Sequence, residues 1–112
     1  VYEYGARLAR VVDGDTIDLR IDLGFDVWIV ERVRVAGIDT PESRTTDLRE
    51  KAHGLRAKDR VRELLDGVHL VLRTRTYDKF GRSLGDLELP DGRRLAATLI
   101  AERHAVAYHG QD

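Results

Sequence analysis

The chain has no cysteine, no methionine, only 2 prolines and 1 tryptophan among 112 residues, and a net charge of −1. Each scarcity excludes something. Without cysteine there are no disulfides, no thiolate metal sites and no cysteine nucleophile, and the redox compartment stays open. No run of about 18 apolar residues occurs, which removes a transmembrane helix and any membrane partner that would need one. A balanced surface is not that of a protein held to nucleic acid by a bulk positive field. Affinity of that kind must come from local charge and a bound cation. The first residue is Val1, as expected of a processed or trimmed N-terminus, so secreted and cytoplasmic locations are both compatible.

What is present fits a single globular domain over residues 1–112, with 42% apolar and 35% charged residues and no repeats or low-complexity tracts. Arginine outnumbers lysine 16 to 3, which suits bidentate phosphate contact, although a GC-rich genome gives the same bias and is the better explanation. Residues 6–12 and 16–23 read as strands. The second alternates cleanly, with Ile17, Leu19, Ile21 and Leu23 opposite Asp18, Arg20 and Asp22. Asp13-Gly14 between them signals a tight turn, and Val27 to Ala36 supplies a third strand. Pro41 ends regular pairing. Asp47 followed by Glu50 reads as a capping box that opens a helix through Leu48, Ala52, Leu55, Val61, Leu64 and Leu65, stopped by Gly67 and weakened at Gly54. Residues 69–77 and 83–89 make two more strands, and 95–103 a short second helix; 104–112 carry no clear period. The order β-β-β-α-β-β-α predicts an α+β fold: a five-stranded Greek-key barrel of the OB type, with helices packed against it.

Two segments concentrate the chemistry. Asp13-Gly14-Asp15-Thr16 and Arg34 through Glu42 bring four carboxylates (Asp13, Asp15, Asp39, Glu42) and one arginine to strand ends. Carboxylates gathered in one place repel, so such a set calls for a cation or for protonation. The oxygen-only ligands suit Ca²⁺ or Mg²⁺ rather than zinc. Asp15 and Asp39 with the carbonyl of Thr40 would leave positions open for water and a substrate phosphate. Glu42, after the rigid Pro41, is the candidate to hold an attacking water. Asp78-Lys79-Phe80-Gly81-Arg82 adds a second arginine at a turn. Arg34 and Arg82 could neutralise charge on a pentacoordinate phosphorus, and with a divalent ion they balance the four carboxylates. Each segment alone has an ordinary structural explanation; their joint occurrence outlines a metal-dependent phosphodiester-cleaving site.

From Arg10 to about Tyr108 the chain resembles the staphylococcal nuclease (thermonuclease) family, through Val12-Asp13-Gly14-Asp15-Thr16, Arg34–Glu42 and Asp78-Lys79-Phe80-Gly81-Arg82. The resemblance implies an OB-fold barrel that uses one Ca²⁺ (Mg²⁺ or Mn²⁺ being alternatives) to cleave DNA and RNA, leaving 3′-phosphate and 5′-hydroxyl ends. It implies Asp15, Asp39 and the Thr40 carbonyl as metal ligands and Asp13 in the surrounding shell. Glu42 becomes the base, Arg34 and Arg82 the phosphate contacts, and Lys79, Phe80 and Tyr108 the nucleotide-holding positions. Phe80 stands where the best-known member has tyrosine, so stacking would persist without a hydroxyl contact. Family members commonly continue into a third helix after the segment matching Ala105 to Tyr108. That helix is expected to be absent here, leaving a monomer whose exposed apolar surface could drive association. The competing reading is a catalytically silent nuclease-like OB module that binds nucleic acid or protein. Such modules typically lack parts of the carboxylate and arginine set, and here the whole set is present.

Overall fold

The computed structural model describes residues 2–77 and 81–108, the last three residues of the first stretch by their backbone alone. Among these residues nine elements follow in order: β1 (Tyr2–Asp13), β2 (Thr16–Asp22), β3 (Trp28–Val35), β4 (Ile38–Asp39), α1 (Leu48–Leu65), β5 (Leu70–Tyr77), β6 (Ser83–Glu88), α2 (Leu95–Ala101) and β7 (Val106–Ala107). Five strands close into a barrel in the order β1-β2-β3-β6-β5, as the OB reading expects. β1 is longer than its apolar pattern suggested, because it serves two neighbours. Its first half pairs with β5 and its second with β2, with register shifts after Leu8 and Val11 that bend it around the barrel. The closing contact is parallel and short, Val33 to Val35 of β3 against Ser83 to Gly85 of β6.

The alternation read in β2 holds through Ile17, Leu19 and Ile21, which are buried with Val33, Val35, Leu70, Leu72 and Leu87 inside the barrel; Leu23 lies beyond the strand and is exposed. Burying each such side chain contributes about 1.5–3 kcal/mol. Asp47 caps α1 as expected, its Oδ1 accepting from the N–H groups of Arg49 (3.0 Å) and Glu50 (3.2 Å). The stripe that α1 buries differs from the expected one. Val61, Leu64 and Leu65 are buried as expected and are joined by Gly54 and Ala57, whereas Leu48 is 81% exposed and Leu55 also points outward. Small residues occupy the first turns of that stripe because the chain passes there at backbone distance.

α2 is shorter than expected, ending at Ala101, with Arg103 in a left-handed conformation (φ 63°). Its N-cap, Arg94, offers no side-chain acceptor. Asp86 of β6 does so instead, its Oδ1 accepting from Ala96 N (3.2 Å) and Leu87 N (2.8 Å). Two strands were missing from the expected order: β4 and β7 form a two-residue antiparallel pair, Ile38 with Ala107 and Asp39 with Val106. That pair ties the segment after α2 to the carboxylate-bearing one. No helix among the described residues is long and apolar enough to cross a membrane.

Candidate active site

The β1–β2 hairpin turns through Gly14-Asp15, one residue later than the expected Asp13-Gly14, with Asp13 paired to Thr16. Gly14 packs tightly: a Cβ there would lie 3.0 Å from both Ala57 Cβ and Thr40 Cγ2. The turn is thereby seated against the segment that follows β4. Asp15, on this turn, is buried, and its Oδ2 accepts the Thr40 N–H at 3.0 Å while Thr16 Oγ1 donates to its Oδ1 at 3.1 Å.

Arg34 lies on the outer face of β3 opposite Thr16, yet only 7% of it is exposed. A single nitrogen, Nη2, stands 3.5 Å from Asp15 Oδ2 and 3.4 Å from Asp39 Oδ1; Nη1 donates to the Val35 carbonyl at 3.0 Å. Tyr108 covers the guanidinium, its ring centroid 6.0 Å away, and is held there by its own N–H donating to Gly37 O at 2.9 Å. Asp15, Arg34, Asp39, Thr40 and Tyr108, which span most of the sequence, therefore share one site.

The electrostatics fit a cation. Burial, followed by the hydrogen bond and negative charge of Asp15, pushes the Asp39 carboxyl above the usual aspartate range, against the pull of Arg34 and the Thr40 N–H. One guanidinium serves two carboxylates, and the donors are hard oxygens. Among the described residues no third His, Cys, Asp or Glu completes the group, so an ion held here would keep positions for water or phosphate. Among the described residues the buried Thr40 hydroxyl has no hydrogen-bond partner, an unmet polar group in the same place. Beside Asp39 an open cleft of ≈ 360 Å³ is lined by Thr40, Pro41, Glu50, Arg103, His104, Ala105 and Val106.

Glu42 is exposed, and its backbone is held from three sides. Its N–H donates to Glu50 Oε1 at 3.4 Å, so Glu50 braces this loop, while the Asp47 N–H, which a full capping box would give to Glu50, goes to Thr45 Oγ1. The next residue, Ser43, is buried, and its hydroxyl and N–H (3.3 Å) both donate to Asp13 Oδ1. Asp13 thus anchors the loop, the outer role expected for it. On the third side Gly54 of α1 lies so close that a Cβ would meet Glu42 O at 2.5 Å and Pro41 O at 2.8 Å. Ser43 was not singled out from sequence, and Glu50 and Gly54 were read only as a capping residue and a weak point of α1; a glycine in the middle of an otherwise sound helix was the available signal for this contact. Arg82 directly precedes Ser83, whose pairing with Val33 brings that end of β6 beside β3 next to Arg34. Lys79 and Phe80, with Asp78, lie outside the described residues.

The structure is an OB-type barrel that gathers two carboxylates and a buried arginine at its strand ends. The chain belongs to the family of staphylococcal nuclease homologues, whose model matches residues 32–112. It is 31% identical over 119 residues to the Escherichia coli protein ParB, covering 97% of this chain and 61% of ParB. It is likewise 31% identical over 114 residues to a micrococcal nuclease of Shigella flexneri, covering 95% of this chain and 59% of that protein. Against the thermonuclease of Staphylococcus intermedius, identity is 37% over 84 residues, or 73% of this chain and 47% of the relative. The chain thus spans about three-fifths of the length of the first two relatives.

Proposed function

We propose that this chain is a metal-dependent nuclease domain that hydrolyses phosphodiester bonds of DNA and RNA, favouring single strands and leaving 3′-phosphate and 5′-hydroxyl ends. The observation that carries the reading is the approach of Asp15 and Asp39 to one nitrogen of Arg34, within 3.5 Å. Relatives named as nucleases support it. Asp15, Asp39 and the Thr40 carbonyl would hold the ion, with Ca²⁺ the first choice and Mg²⁺ or Mn²⁺ alternatives. When bound, the ion supplies Lewis-acid polarisation of the phosphoryl oxygen.

The chain's own residues do the rest. Glu42 orients a water toward phosphorus and accepts its proton as the new P–O bond forms and the bond to the 5′ oxygen breaks. Arg34 and Arg82 stabilise the extra negative charge on the phosphoryl oxygens. Arginine remains protonated, so the leaving oxygen takes its proton from water. A shallow site cannot readily reach a phosphate in tightly paired duplex, which accounts for the single-strand preference.

The test is cleavage of single-stranded DNA with millimolar Ca²⁺, Mg²⁺ or Mn²⁺, with and without chelator, followed by end-group analysis. Chelator-sensitive cleavage leaving 3′-phosphates supports the proposal. Well-folded protein that binds the strand without cutting it under any of these ions is instead a silent module.

A further inference from the structure

The period of two along β3 puts Trp28, Val30 and Arg32 on the same outer face as Arg34. Register carries that face across three strands. Arg32 lies beside Asp18 and Arg10, Val30 beside Arg20 and Arg7, and Trp28 beside Asp22. On a chain with net charge −1, this face presents four arginines against two aspartates. It leads without interruption from the buried Arg34 outward, and its four arginines are exposed. Arg32 is fixed by a two-pronged pair with Asp18 (2.8 and 3.2 Å). At the far end Trp28 is 41% exposed, with the Arg20 guanidinium carbon 5.4 Å from its ring centroid. Six residues of strand separate Trp28 from Arg34, about 20 Å at the usual rise.

Resting on the phosphodiesterase reading, we infer that this outer face of β1–β2–β3 is a secondary binding track for the flanking nucleotides of a single strand whose phosphate sits at Arg34. Arg10 and Arg20 would meet backbone phosphates, and a base would stack on Trp28. The chemistry is that of sequence-tolerant single-strand binding, in which a cationic groove follows the backbone and an aromatic ring takes a base. The face is continuous with the candidate active site, and its charge is complementary to a polyanion. Trp28 and Val30 make it partly apolar as well, so a second copy of this chain is the competing occupant.

Trp28 is the sole tryptophan and therefore a reporter. The Glu42→Gln variant in Ca²⁺ would be titrated with an oligothymidylate of about ten nucleotides and with a trinucleotide. The longer strand should quench Trp28 fluorescence and the trinucleotide should not. By anisotropy of a labelled strand, Trp28→Ala should weaken binding of the longer oligomer about 5- to 150-fold. Arg20→Gln, independent of any packing lost at Trp28, should lower the slope of log K against log salt by about 0.7. Unquenched Trp28 with a wild-type salt slope in Arg20→Gln overturns the track, and if the wild type still cleaves DNA the active-site reading stands. Quenching without cleavage in the wild type keeps the track and removes the enzyme. A spectral shift that depends on protein concentration alone, with a doubled mass in sedimentation, assigns the face to self-association and also overturns the track.

Discussion

Replacing Gly54 by alanine separates two effects that ordinarily act together. In an exposed helix the change stabilises by about 1 kcal/mol, because alanine surrenders less backbone entropy. Here the new Cβ would stand 2.5 Å from Glu42 O, 2.6 Å from Glu42 C and 2.8 Å from Pro41 O, all backbone atoms with no side-chain rotamer to yield. An ordinary carbon–oxygen contact is about 3.3–3.6 Å, so the Pro41-Glu42 backbone must recede by about 1 Å. Overpacking of this sort costs about 1–3 kcal/mol, which leaves a net loss of up to about 2 kcal/mol after the helical gain. The effect on turnover should be larger, since a displacement of about 1 Å at a catalytic group can cost about 10²-fold. Urea denaturation and single-stranded DNA cleavage would be measured side by side. A Gly54→Ala protein that gains the full helical increment and keeps wild-type turnover would refute the claim that α1 sets the position of Glu42.

Glu42→Gln and Arg82→Ala should each lower kcat by about 10²–10³-fold while circular dichroism and melting temperature stay close to wild type; near-full activity in either removes that residue from its proposed role. Asp86 tests the cap on α2 and its pH dependence. Burial raises its carboxyl above the usual range, so ionised Asp86 is less favourable in the folded state than in the unfolded chain. That stability is fully present below the unfolded value of about 3.9 and is lost as pH rises through the raised folded value. Asp86→Asn keeps one oxygen for Leu87 and Ala96, and should melt higher than wild type at pH 7, with the advantage shrinking as the pH falls toward 4. Asp86→Ala removes the acceptor and should cost about 0.5–2 kcal/mol. Equal melting of the Asn and Ala variants would show that the cap contributes nothing.

Much of the site was legible because its residues sit in short segments whose chemistry is local. Asp15 and Asp39 flank strand ends, Pro41 fixes the entry to Glu42, and the clean alternation of β2 identifies the core face. What escaped depends on distant segments meeting. Nothing near Ser43 in sequence shows that Asp13, thirty residues earlier, will accept both its protons. Gly54 read as a flaw in a helix because the loop it accommodates belongs to another part of the chain. Leu48 and Leu55 misled at the start of the α1 stripe for the same reason: the Pro41-Glu42 backbone leaves room only for a small residue at Gly54, and apolar size was an unreliable guide there. The two-residue strands β4 and β7 are too short to show any period. Arg34, which as a strand residue could have faced solvent, is buried because two carboxylates and Tyr108 receive it.

In the proposed function Asp15 and Asp39 together hold a divalent ion on which phosphodiester cleavage depends. The most direct measurement is the rate of single-stranded DNA cleavage as calcium is titrated into metal-free protein, for the wild type and for Asp39→Asn. Cleavage should be absent in excess chelator and rise saturably with calcium in the wild type, with a half-saturating calcium concentration at least about tenfold higher in the variant. Cleavage that persists in chelator, or calcium curves that coincide for the two proteins, would contradict it.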